Sequence, residues 1–241
     1  MNIAIYGDSF ADPNFRAGPL QSWDPRPSAW PTLLGQIYTL KNYARAGTGL
    51  YWSYQQFLST HSQHDRIVFI VTAVGRWPTL IEGRAFGNSL EALDYHIKSV
   101  DLSREDLRRK LVAVRDWVLW ARDWDYERSI HELILSDIRR SRPDALLIPI
   151  VGDTESLRDR PSVTDWARAS LWTLTGDPRW RDTSNLPPLL KELRTACHMT
   201  PETNRSFLMA VGAALQSGLW QPRVPESILH KESVDYYYGE A

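Results

Sequence analysis

The chain has 241 residues, 43% of them hydrophobic, and a formal net charge of −1. That length and apolar content suffice for the core of a single domain. The near-neutral charge, with no long basic block, excludes the electrostatic footprint of a nucleic-acid binder. No apolar run approaches the roughly eighteen residues of a bilayer span. The lone cysteine, Cys197, has no intramolecular disulfide partner, as expected in a reducing compartment or a fold that needs no staple.

The first predicted element is a strand over residues 2–6, running directly into Gly7-Asp8-Ser9-Phe10. In an open α/β sheet, ligands bind in the crevice beyond the carboxyl ends of the strands, so Ser9 is placed to face substrate. Gly7 lets the backbone turn sharply before it. The same residues also suit an ordinary turn. A helix is expected from near Ser28 through Trp30, Leu33, Leu34 and Ile37, followed by a strand over 37–43. Next comes Asn42-Tyr43-Ala44-Arg45-Ala46-Gly47-Thr48-Gly49, then a helical pattern from Tyr51 to Leu58. Glycines there permit close backbone approach to a ligand, and amides at a helix start carry partial positive charge. His61 and His64 share this region without a third metal ligand and read as a helix-end pair.

A strand over 66–72 leads into Thr72-Ala73-Val74-Gly75-Arg76-Trp77. The stretch from Gly75 to Asp101 is long for a connection and reads as a cap or insertion, within a helical insertion at about 76–143. Ser103 offers a cap to a helix carrying Leu107, Leu111, Val114, Val118 and Ala121. A second helix carries Ile130, Leu133, Ile134 and Ile138, and Pro143 ends it before a strand over 145–151. Trp117, Trp120 and Trp124 fall on one helical face and are expected to pack the helix layer. Asp12, Asp24, Asp123 and Asp125 read as turn or surface residues.

From 153 to about 190, Trp166, Trp172 and Trp180 are interleaved with Arg158, Arg160, Arg168, Arg179 and Arg181, a segment placed to line a cleft. Its aromatic faces and donors suit a sugar ring and a protein interface equally. His198-Met199-Thr200-Pro201-Glu202 follows, with Thr200 as N-cap and Pro201 at the first position of a helix. His198 therefore stands just upstream of a helix, from where it can reach a strand-end serine. Cys197 reads as an inert buried thiol. Tyr236-Tyr237-Tyr238 suits a tail docked on the domain or a partner chain, or a strand-like edge. Strands alternating with helices predict a three-layer α/β/α domain with a parallel sheet.

Taken together, the segments around Ser9, Asn42 and His198 resemble the SGNH or GDSL hydrolase family in order and in residue type. The resemblance covers the two ends and the first third better than the middle. It implies a flavodoxin-like domain spanning 1–241 with Ser9 as nucleophile and His198 as general base. It also implies an oxyanion hole from the backbone N–H groups of Ser9 and Gly47, with Asn42 opening the second block. Asp8, from its place in the motif, organises the turn. The implied chemistry is an esterase or deacetylase acting on a carbohydrate ester or small acyl ester, with no metal or organic cofactor.

Two positions depart from the family pattern. The third block's asparagine is absent after Gly75, where Trp77 stands in its place and Arg76 or Thr72 are the side-chain donors nearby. Thr195 occupies the usual aspartate position, leaving Asp182 and Glu192 as the nearest upstream carboxylates, or a backbone carbonyl to orient His198. The competing expectation is an SGNH-fold protein without catalysis, serving as a structural or binding module, as a homo-oligomer or in a larger assembly. A nucleotide-binding protein of the same architecture lacks a phosphate-cradling loop here. With a strand at the start and no leader of signal-peptide form, the expectation is a cytoplasmic protein or part of a non-classically exported assembly. Neither nucleic acid nor membrane is expected as a partner.

Overall fold

Near-continuous apolar runs in the predicted strands call for a sheet covered on both faces, and the computed structural model has that sheet. It describes residues 1–14, 27, 29–76, 79–81, 84–86, 90–101, 103–151, 154–163 and 201–220. The strands β1 (Asn2–Tyr6), β2 (Thr39–Asn42) and β3 (Arg66–Val71) come first. A hairpin of β4 (Thr79–Ile81) and β5 (Arg84–Phe86) follows, and β6 (Leu146–Pro149) comes last. β2, β1, β3 and β6 lie in that order in one sheet with every pairing parallel, Ile3 facing Leu40 and Arg66, and Phe69 facing Leu147.

One face buries Ile3, Ile5, Val68, Ile70 and Ile148 against α1 (Trp30–Gly35) and α6 (Pro201–Ser217). The other buries Ala4, Tyr6, Ile67, Phe69 and Leu147 against α2 (Leu50–Thr60) and α5 (Trp124–Ser141). The expected three layers follow directly from this alternation. β1 connects to β2 over the first face, whereas the connections into β3 and β6 carry α2 and α5 over the second. The sheet grows in opposite directions on the two faces, as right-handed crossovers require. β1 and β3 therefore flank the point where strand order reverses, the usual ligand crevice of an open α/β sheet.

Aromatic packing closes both layers. Trp30 meets Phe207 edge to face at 5.4 Å, and Phe207 meets Trp220 at 5.7 Å. On the opposite face Tyr6 stacks on Tyr43 at 5.3 Å and on Phe69 at 5.5 Å. Such pairs add about 0.5–1.5 kcal/mol each beyond the area they bury.

Several local expectations change. α1 ends at Gly35, short of Ile37, which is exposed. Ser103 does not cap α4 (Glu105–Trp120): Arg104 holds that position with no side-chain bond, and the Ser103 amide donates to Asp101. Leu133 is exposed because α5 turns Ile134, Leu135 and Ile138 to the sheet instead. The stretch after Gly75 contains the β4–β5 hairpin as well as α3 (Leu90–Ser99) and α4, whose Leu93, Ile97, Leu107 and Leu111 form a separate small core. α5 belongs to the main sheet layer.

The tryptophans at the α4–α5 junction do not pack the helix layer. Trp120 is 85% exposed and Trp124 is 52% exposed. α4 ends at Trp120 and α5 starts at Trp124, so they share no continuous helical face, and α4 spends its buried row on α3. No helix among the described residues is long and apolar enough to cross a membrane.

Candidate active site

Immediately beyond β1, Gly7 adopts φ +150°, and a Cβ there would fall 2.8 Å from Cβ of Ile70 on β3. Only glycine lets the two backbones approach so closely. The chain then turns back on itself, with the amides of Ala11 and Asp12 both donating to the Asp8 carbonyl. The Asp8 carboxylate accepts from the Phe10 amide at 3.1 Å, the turn-organising role expected of it. Ser9 is nearly buried at this turn, and among the described residues its side chain has no hydrogen-bond partner.

The segment after β2 is stitched to this turn by its own backbone and by three short polar side chains. Asn42 donates to the Ala11 carbonyl at 2.8 Å and accepts from the Ala44 amide at 2.8 Å. Asp12 accepts from the Ala46 amide at 2.9 Å. The Arg45 amide and the Ser53 hydroxyl both donate to the Gly7 carbonyl. Asp12, read from sequence as a turn or surface residue, is thus a tie between two loops. Gly47 lies inside this segment with φ +78°, a conformation that favours glycine, and Gly49 caps α2.

The exit from β3 forms the second wall. The Arg76 guanidinium donates through Nη1 to the Asp8 carboxylate, and the Asp8 side chain is fully buried whereas that of Arg76 is 43% exposed. Burial raises the Asp8 carboxyl above its ordinary value, and the charge of Arg76 and the Phe10 amide pull it back. Among the described residues the remaining guanidinium nitrogens of Arg76 have no partner. Thr72 is buried, and its hydroxyl has no hydrogen-bond partner among the described residues.

Gly75, at φ +88°, supports a layer that the sequence did not announce. A Cβ on Gly75 would fall 1.5 Å from Nη2 of Arg122 and 2.6 Å from Cζ3 of Trp124. Arg122 is held by a forked bond to Glu127, with Nε donating at 2.8 and 2.9 Å and Nη2 at 2.7 Å. Both side chains of that pair are buried. The Arg122 guanidinium also lies 3.7 Å from the centre of the Trp124 ring. One helical turn on, His131 is buried with Nδ1 unpartnered among the described residues, and burial lowers its pKa to about 4.

At the start of α6, Asn204 accepts from the Trp30 amide at 3.0 Å, and the Trp30 indole donates to the Phe10 carbonyl at 2.8 Å. The helix expected after Thr200 begins at Pro201 and is thereby tied to the Ser9 turn. His198 itself lies outside the described residues, as do Cys197, Trp77, Asp182, Glu192, Trp166, Trp172, Trp180 and the tyrosine tail. His61 and His64 sit at the opposite, amino-terminal end of β3. His61 stacks on Phe57 at 4.5 Å and His64 bonds Tyr43. Among the described residues no three potential metal ligands converge.

Ser9, Gly47 and Arg76 are thus carried by three segments that meet beyond the carboxyl ends of β1, β2 and β3. Sequence reading missed Asp12, Trp30 and Asn204 as supports, and it missed the Arg122–Glu127–Trp124 group entirely. No family model matches the chain, and no curated protein sequence matches it.

Proposed function

We propose that this chain is a serine ester hydrolase of the SGNH type on a flavodoxin-like domain, acting on a carbohydrate ester or small acyl ester. The observation that carries the reading is the position of Ser9. It follows β1 directly at the strand-order reversal, on a turn bonded to the Asn42–Gly49 segment. In this mechanism His198 takes the Ser9 proton as Oγ attacks the acyl carbonyl, and the N–H groups of Ser9 and Gly47 receive the oxyanion. His198 returns the proton to the leaving alcohol, and water then releases the acyl group with His198 again as base. The tie from Asn204 through Trp30 to Phe10 supports the pairing, because it anchors the helix that follows His198 beside the Ser9 turn. Asp182 or Glu192 is the carboxylate proposed to orient His198, and Arg76 is the side-chain donor proposed for the oxyanion.

A second reading, an SGNH-fold binding protein without catalysis, is favoured by the exposed aromatic surface of Trp117, Trp120 and Tyr126. Fluorophosphonate labelling separates the two. The hydrolase reading expects labelling of the wild type, and its loss in Ser9→Ala and His198→Ala. Hydrolysis of p-nitrophenyl acetate should fall about a thousandfold or more in both variants. A folded wild type that takes no label leaves the binding reading in possession.

A further inference from the structure

Trp124 is half exposed, yet its indole is fixed more firmly than an ordinary surface tryptophan. One face carries the Arg122 guanidinium at 3.7 Å, and its edge rests against Gly75 where any side chain would collide with it. Arg122 is in turn locked by its forked bonds to Glu127 in a buried pair. With one face taken by the cation, the exposed area belongs to the rest of the ring. A rigid aromatic surface with an open side is a preorganised stacking platform, since little is lost in ordering it when a ligand arrives.

The platform's neighbours define what it can serve. Gly75 precedes Arg76, Arg76 bonds Asp8, and Asp8 precedes Ser9. Contact, bond and chain adjacency therefore link the aromatic ring, a partly exposed guanidinium whose other nitrogens have no partner among the described residues, and the hydroxyl. A pyranose ring matches that series: its C–H face lies on an indole and its hydroxyls accept from guanidinium N–H groups. An extended acyl chain needs an apolar trough, whereas a flat platform flanked by a cation does not supply one.

Resting on the hydrolase reading of Ser9, we infer that Trp124 is a specificity-determining residue that stacks the sugar ring of an acylated pyranoside, with Arg76 donating to its hydroxyls. The test compares wild type, Trp124→Ala and Trp124→Phe on acetylated methyl glucopyranoside, vinyl acetate and naphthyl acetate. Saturation-transfer NMR of the acetylated sugar is recorded with Ser9→Ala and with Ser9→Ala combined with Trp124→Ala.

The platform predicts that Trp124→Ala lowers the ratio of kcat/KM for the sugar ester to that for vinyl acetate about tenfold. The loss should fall mainly on KM, with partial recovery in Trp124→Phe. It also predicts that NMR transfer to the sugar is lost in the double variant. An unchanged ratio, while vinyl acetate is turned over, overturns the platform and leaves the hydrolase standing. A fall confined to naphthyl acetate overturns the sugar assignment. Wild type that hydrolyses no ester while Ser9→Ala binds the sugar through Trp124 overturns the hydrolase and keeps the platform. Absence of both turnover and sugar binding overturns both.

Discussion

The turn after β1 and the exit from β3 face each other across the same crevice but are held by opposite means. Around Ser9, bonds to backbone groups dominate: Asn42 to the Ala11 carbonyl, Arg45 and Ser53 to the Gly7 carbonyl, the Phe10 amide to Asp8, and the Ala46 amide to Asp12. Around Gly75, charge dominates: Arg76 to Asp8, Arg122 to Glu127, and Arg122 over Trp124. The Ser9 wall is built from many modest bonds, each worth about 0.5–1.5 kcal/mol. The opposite wall depends on few partners, any one of which is costly to orphan.

The largest effect expected from this contrast is at Glu127. Glu127→Ala leaves the Arg122 guanidinium buried without its partner, and unfolding in urea should show a loss of about 3–5 kcal/mol. A loss under about 1 kcal/mol would break the comparison, since the two walls would then be held equally. Next comes His131, whose pKa is lowered to about 4 by burial. Its unfolded form takes up a proton first, so it contributes stability that is fully present above its ordinary value near 6.5. That contribution is lost as pH falls through 6.5 toward 4, amounting to about 3 kcal/mol. His131→Leu should flatten the slope of stability against pH in that window relative to wild type. A parallel slope in the two proteins would show that burial does not hold the His131 pKa down. The smallest effect is at Asn42. Asn42→Ala should cost about 1–2 kcal/mol, with no change in the slope against pH.

Legibility from sequence follows the range of the interactions. Four strands, the Gly7 turn and the helix start at Pro201 were readable because short apolar runs, turn residues and N-terminal proline act within a few positions. The end of α1 at Gly35 was harder, since Ile37 continues the apolar spacing that the helix itself does not. The three junction tryptophans misled for a related reason: helical spacing across Trp120 and Trp124 hides a break at Ala121 and the Asp123 cap, which accepts from the amides of Asp125 and Tyr126. The Arg122–Glu127 pair was invisible because its consequence lies at Gly75, on an element distant in sequence. Asp12 looked like a turn residue because it is one, bonding the Asn14 amide through one carboxylate oxygen while the other reaches Ala46. Its second role needed the neighbouring loop to be in place.

Trp30 joins residues far apart in the sequence, its indole on Phe10 and its amide on Asn204. A ribosome delivers Phe10 and Trp30 long before Asn204, and during that interval the Trp30 amide lacks its acceptor while the sheet lacks the layer that α6 supplies. Contacts this far apart along a chain are slow to form and come late. The nascent chain therefore reaches its finished crevice only after α6 has emerged.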